Sequence, residues 1–184
     1  MSAAAGVEKV RLGRTGLTVP KIGFGTSGLG SMPATYGYEV DEERARATVR
    51  AVLDGPAPFI DSSRNYGFGR SEARVGAVIK ERGGLPAGAI LSTKLDRDTE
   101  NGNRFDAAQV RRSLEASLKA LNVDRVSILH LHDPEYAADL SEVTGPKGAI
   151  AELFKMKEEG IAAAVGLAAG RVDIMMPMLR EWDF

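Results

Sequence analysis

From Asp41 onward the chain switches between two hydrophobic periods in a fixed order, and this alternation limits the folds open to it. The helical segments "DEERARATVRAVLD", "RSEARVGAVIKERG", "DAAQVRRSLEASLKALN" and "GAIAELFKMKEEG" are each followed by a short apolar run: "PFIDSS", "AILSTKL", "VSILHLHD" and "IAAAVGLAA". The third helix is the clearest. Val110, Leu114, Ser117, Leu118 and Leu121 form one stripe, with Arg111, Arg112, Glu115 and Lys119 outside it. Strands that alternate with helices pair in parallel through right-handed crossovers. Before these units, "VRLGRTGLTVPKIGF" predicts a hairpin around Arg14-Thr15-Gly16 that leads into a first core strand, "KIGFGT". After them, "VDIMMPMLREW" predicts a fifth helix entered around Pro177. No linker or charge block interrupts the pattern, so residues 1–184 are expected to form one domain. Five strands and five helices fit either an open doubly wound sheet or part of a (β/α)₈ barrel.

Gly23, Gly25 and Gly28 stand at the G-x-G-x-x-G spacing of a dinucleotide-binding turn. That turn works because the third glycine opens a helix whose free N–H groups hold a pyrophosphate. Here the sequence continues "SMPATYGYEV", and the first helix is expected only after Asp41, its N-cap. The acidic residue expected about twenty positions on is missing. The glycines therefore need another explanation.

The ends of three successive strands favour the barrel. Each finishes with an ionisable side chain: Asp61, Lys94 and His132. Side chains alternate along a strand, so Phe59 and Asp61 share a face, as do Ser92 and Lys94, and Ile128, His130 and His132. If those faces line a barrel interior, an acid, an amine and an imidazole emerge together at the C-terminal mouth, where barrel enzymes carry their chemistry. The alternative is an ordinary buried Asp61–Lys94 ion pair with His132 capping a loop. Tyr66, five positions past Asp61, is expected over the same mouth, where a neighbouring ammonium would lower its pKa toward that of a working acid and base. His130 lies one layer deeper and reads as a hydrogen-bonded core histidine.

Several functional classes are excluded or disfavoured. A net charge of −1 with interleaved acids and bases gives no footprint for nucleic acid. The absence of cysteine removes disulfides, thiolate zinc sites and thiol catalysis, and no metal site is expected. The N-terminal stretch lacks a secretion signal and no run reaches the length of a membrane span, so a cytoplasmic protein without membrane contact is expected.

Asp61, Tyr66, Lys94 and His132 resemble the catalytic tetrad of the aldo-keto reductases. "RLGRTGLTVPKIGFGT" is similar to the opening hairpin and first strand of that family, "FIDSSRNYGFGRSEARVGAVI" to its first signature, and "RRSLEASLKALNVDRVSILHLHDPE" to the segment leading to its histidine. The "HDPE" form most resembles the branch of aldose and pyridoxal dehydrogenases. The resemblance implies hydride transfer between NADP or NAD and an aldehyde, ketone or aldose sugar. Tyr66 would give or take the substrate proton, Lys94 would tune it, Asp61 would pair with Lys94, and His132 would orient the substrate oxygen. It also implies that Gly25 and Thr26, at the end of the first strand, lie against the nicotinamide ribose or substrate.

Two departures from the family pattern matter. After the fifth strand, where the family commonly has an asparagine for the nicotinamide carboxamide, this sequence has Ala168, Ala169 and Gly170, which offer only backbone groups. The chain also holds five of eight units, so it reads as C-terminally truncated, and its open edges invite self-association. The competing function is an inactive fragment or non-catalytic interaction protein.

Overall fold

The computed structural model describes residues 6–184; the first five, part of the N-terminal stretch and of the 1–184 span read above, lie outside the described residues. Two short strands, β1 (Lys9–Arg11) and β2 (Thr18–Pro20), pair antiparallel as the expected hairpin. Five further strands form one parallel sheet: β3 (Phe24–Gly25), β4 (Phe59–Asp61), β5 (Ile90–Leu95), β6 (Val126–His132) and β7 (Ala162–Ala168). Their spatial order follows the chain, β3-β4-β5-β6-β7. An order without reversal has no switch point, which excludes the doubly wound sheet and matches part of a (β/α)₈ barrel.

The connecting helices are α1 (Glu42–Asp54), α2 (Arg70–Glu81), α3 (Ala107–Leu121), α4 (Ala149–Glu158) and α5 (Val172–Glu181). Asp41 caps α1 by accepting the Arg44 N–H at 2.7 Å, and Asp106 caps α3 by accepting that of Gln109 at 2.8 Å. α3 stops at Asn122 in the left-handed region, a residue that tolerates that conformation. The apolar stripes of α1 to α4 bury Val49, Val75, Leu114 and Leu153 against Ile60, Leu91, Leu129 and Val165 on one sheet face. On the other face the hairpin covers only the N-terminal end, where Val19 packs with Ile90, Ile128 and Ala164. The C-terminal end of that face carries the polar residues.

Three local expectations need correction. Gly28 does sit in a helical turn, the 3₁₀ segment Ser27–Gly30, and a four-residue helix Pro33–Tyr36 follows. Neither is long enough to align a helix dipole. Pro177 lies inside α5 rather than at its entry. The ring removes one bond, to the Asp173 carbonyl, and the helix continues because Met178 is buried behind it. β3 is only two residues long, since Gly23 precedes it, Gly25 ends it, and strands of glycine gain little from packing. Among the described residues no helix is long and apolar enough to cross a membrane.

Candidate active site

Register places the polar residues in layers. Gly25 pairs with Asp61 and Asp61 with Ser92; Lys94 pairs with His130 and His130 with Gly166; His132 pairs with Ala168. Paired residues point to the same face of a sheet. Lys94 Nζ reaches Asp61 Oδ2 at 2.6 Å and the Ser62 carbonyl at 2.7 Å, and Ser92 Oγ donates to Asp61 Oδ1 at 2.8 Å. The ammonium is buried, with 6% side-chain exposure against 33% for Asp61. A buried charge persists only when paired and hydrogen-bonded, and this one has two partners.

Tyr66 is held above the pair by backbone packing. Its loop touches the turn after β3, where a Cβ on Gly67 would come within 2.1 Å of the Gly30 carbonyl and one on Gly30 within 2.7 Å of the Tyr66 backbone. Gly67 also has φ of +66°, so glycine is required there twice over. Arg70 locks the contact by donating to the carbonyls of Gly30 at 2.9 Å and Ser31 at 2.8 Å. The glycine-rich stretch thus serves to seat the Tyr66 loop. Lys94 Nζ lies 4.7 Å from the centre of the Tyr66 ring, and the His132 ring meets Tyr66 edge-on at 6.0 Å. The four residues of the expected constellation are therefore together.

The expected lowering of the Tyr66 pKa is corrected. Burial pushes the phenol above its ordinary value, and the pull of Lys94 only partly opposes this. The reason is that Asp61 already offsets the ammonium, while Asp61 and Asp96 both disfavour a phenolate. At neutral pH the phenol carries its proton. His130, one layer down, contacts Ser92 Oγ at 3.3 Å, and burial lowers its pKa, which favours the neutral ring of a core histidine.

Two residues that the sequence reading passed over surround His132. Its Nδ1 lies 2.6 Å from Asp96 Oδ1 and 3.2 Å from Ser63 Oγ. Asp96 follows Lys94 by two positions, so strand parity already carried a signal for it.

The positions expected near a cofactor are less uniform. A Cβ on Gly25 would meet no atom within 4 Å, so its missing side chain leaves open space on the Asp61 face. Thr26 is corrected: it is 2% exposed, and its hydroxyl donates to the Asp61 carbonyl at 3.0 Å and accepts from Ser71 Oγ at 2.8 Å, away from the mouth. The Ala168 carbonyl accepts the Asp133 N–H at 2.7 Å and Gly170 gives its N–H to Glu135 at 2.6 Å, so two backbone groups of that turn are already engaged. Ala169 stands between them. Among the described residues no group of three histidine or acidic side chains is placed to hold a metal ion.

Residues 21–184 match the model of the aldo/keto reductase family. The chain is 37% identical over 173 residues to the L-galactose dehydrogenase of Arabidopsis thaliana, covering 94% of this chain and 52% of that protein. It is 27% identical over 190 residues to the D-threo-aldose 1-dehydrogenase of a Pseudomonas species, covering 91% of this chain and 55% of the relative. The chain thus spans about half the length of these curated relatives. Among solved structures, the holo form of an aldo-keto reductase from Bacillus halodurans superposes with a TM-score of 0.76 at 24% identity, over 97% of this chain and 55% of that one.

Proposed function

Since the chain belongs to the aldo/keto reductase family, we propose that it carries the acid–base half of an oxidoreductase site that acts on an aldose or simple carbonyl compound with NADP or NAD. The observation that carries this reading is the convergence of Tyr66, Lys94, Asp61 and His132 at one end of one sheet face. The names of the two dehydrogenase relatives support sugars as the substrate class.

The open space at Gly25, beside Asp61, fits the flat face of a nicotinamide, and the Ala168–Ala169 turn would meet it through its remaining backbone groups. When bound, the nicotinamide supplies hydride chemistry. The chain's own residues handle the oxygen. Tyr66, kept protonated by burial, donates a hydrogen bond to a substrate carbonyl and gives up its proton as negative charge develops there. Lys94, aimed by Asp61 and the Ser62 carbonyl, stabilises the phenolate left behind. His132 stands edge-on to the Tyr66 ring and borders the same space.

Titrating the 184-residue chain with NADPH and with NADH, followed by nucleotide fluorescence, tests the reading. Saturable binding of either is expected; a folded chain that binds neither would overturn it. Where turnover is found, Tyr66→Phe should lower kcat about 10²- to 10⁴-fold with unchanged cofactor affinity.

A further inference from the structure

The geometry points to Asp96 as a positioning residue that holds the hydrogen of the neutral His132 ring on Nδ1, so that Nε2 faces the ligand as an acceptor and the site takes a hydroxyl-bearing substrate. The clause about substrate rests on the oxidoreductase reading above; the role of Asp96 does not.

The donors around Asp96 fix where the ring hydrogen lies. At 2.6 Å, Asp96 Oδ1 and His132 Nδ1 have a hydrogen between them, because two lone pairs would repel at that distance. The other carboxylate oxygen, Oδ2, accepts from Ser63 Oγ at 2.9 Å and from the Asn65 N–H at 3.1 Å. Everything around the carboxylate donates to it, so nothing there calls for a proton on Asp96 itself. Ser63 has a single hydrogen and spends it on Asp96, so its 3.2 Å contact with Nδ1 uses an oxygen lone pair. Nδ1 therefore sees two acceptors and must be the nitrogen that donates. The main chain of Asp96 is fixed as well: its N–H goes to Ser113 Oγ at 2.9 Å and its carbonyl accepts from Gln109 Nε2 at 3.1 Å. With side-chain exposures of 11% for His132 and 4% for Asp96, water does not compete at this contact.

Such a partner fixes both tautomer and ring plane, as it does for many metal-bound and catalytic histidines. Nε2 is left with a lone pair. The groups facing the ring are the Asp133 carboxylate, 3.7 Å from Nε2 and beyond hydrogen-bond reach, the edge-on Tyr66 phenol, the Lys94 ammonium beneath that phenol, and His130 one layer below. None of them donates to Nε2. A carbonyl oxygen brings only lone pairs and gains nothing from this nitrogen. A hydroxyl beside the reacting oxygen, such as a sugar carries, donates to it and leaves the reacting oxygen to Tyr66.

The chain has two histidines, which makes the test direct. Long-range proton–nitrogen correlation spectra of the ¹⁵N-labelled, ligand-free chain distinguish a protonated ring nitrogen from a bare one, and His130→Gln assigns the two rings. In the parent, at a pH where the ring is neutral, the hydrogen of His132 is expected on Nδ1. Asp96→Asn, whose amide keeps its oxygen toward Asn65 and Ser63 and turns its NH₂ toward Nδ1, should move that hydrogen to Nε2, whereas Ser63→Ala should leave it on Nδ1. Hydrogen on Nε2 in the parent overturns the proposal whatever the variants do, as does an unmoved hydrogen in a folded Asp96→Asn chain. Galactose and acetone then serve as hydroxyl and carbonyl probes. A shift of His132 Nε2 with galactose and none with acetone supports the hydroxyl clause, and the reverse pattern overturns it. Silence toward both removes that clause and counts against the oxidoreductase reading, while the role of Asp96 stands or falls on the ligand-free spectrum.

Discussion

Lys94 and Asp61 are unequal partners, and the inequality decides which substitution matters more. Asp61 keeps a third of its side chain in solvent, whereas Lys94 is nearly sealed. Asp61→Asn therefore strands a buried ammonium with only the Ser62 carbonyl and an amide oxygen, and should cost about 3 kcal/mol in urea unfolding. Two titrations follow from burial. The pKa of Tyr66 is raised in the folded chain, so its contribution to stability is complete below pH 10 and is lost as pH climbs through the raised value. The pKa of His130 is depressed from 6.5, so its contribution is present above that pH and is lost as pH falls through the lowered value. Replacing His130 by Gln should flatten the acid limb of a stability–pH curve, and Tyr66→Phe the alkaline limb. Strand parity made Asp61, Lys94 and His132 legible in the sequence, because alternation alone puts them on one face. The buried hydroxyl of Thr26 follows the same alternation, since Gly25 before it faces the Asp61 side and Thr26 turns to Ser71 on α2. The direction of the Tyr66 shift was not legible, because it depends on three charges and a burial that only the folded chain defines.

At the scale of elements, α2 and α3 cross where Gly76 meets the Ala120 carbonyl. A Cβ on Gly76 would come within 1.9 Å of that oxygen, and Asn122 Nδ2 donates to the Gly76 carbonyl at 3.2 Å. Ala is the better helix former by about 1 kcal/mol, yet here it should lose. Overpacking costs about 1–3 kcal/mol, and a backbone oxygen cannot rotate away. Gly76→Ala is therefore expected to lower Tm, while Gly83→Ala, in open space just past α2, should change it little apart from the strain of its positive φ. Trp182, stacked on Phe154 at 5.4 Å, is the single tryptophan and gives the fluorescence signal for both measurements. The long periodic helices and the strands between them were readable from hydrophobic period and caps. The turn at Ser27–Gly30 and the run of α5 through Pro177 were not, because short turns have no period and a proline's position in a helix is decided by what packs behind it.

For the molecule as a whole, the decisive feature is a sheet with two edges. β3 offers two residues and β7 seven, and the seven are small or apolar: Ala162, Ala163, Ala164, Val165, Gly166, Leu167 and Ala168. An unpaired edge of that composition, with no charge or proline to guard it, is a template for another strand. Sedimentation of the 184-residue chain should show association that increases with concentration, and Val165→Lys would not be a clean control because Val165 is buried against the helices. Ala163→Lys, at an exposed position of β7, should reduce the association without disturbing the core. A discrete dimer would mean that two sheets complete each other, and a chain that stays monomeric at high concentration would show that the edge is too short or too twisted to pair.

The chain-ordered sheet also bears on how the molecule comes into being. Among the described strands, each parallel pairing joins neighbours in the chain and closes a loop of roughly 35 residues. Synthesis can thus lay down strands in register one after another, as translation proceeds at about 5–20 residues per second. β4 and β5 can join, and Asp61 and Lys94 meet, before His132 has been made. The imidazole then arrives at a surface already charged and ordered. A ribosome-stalled series of nascent chains, probed by protease resistance, would show protection appearing in steps of one helix and one strand.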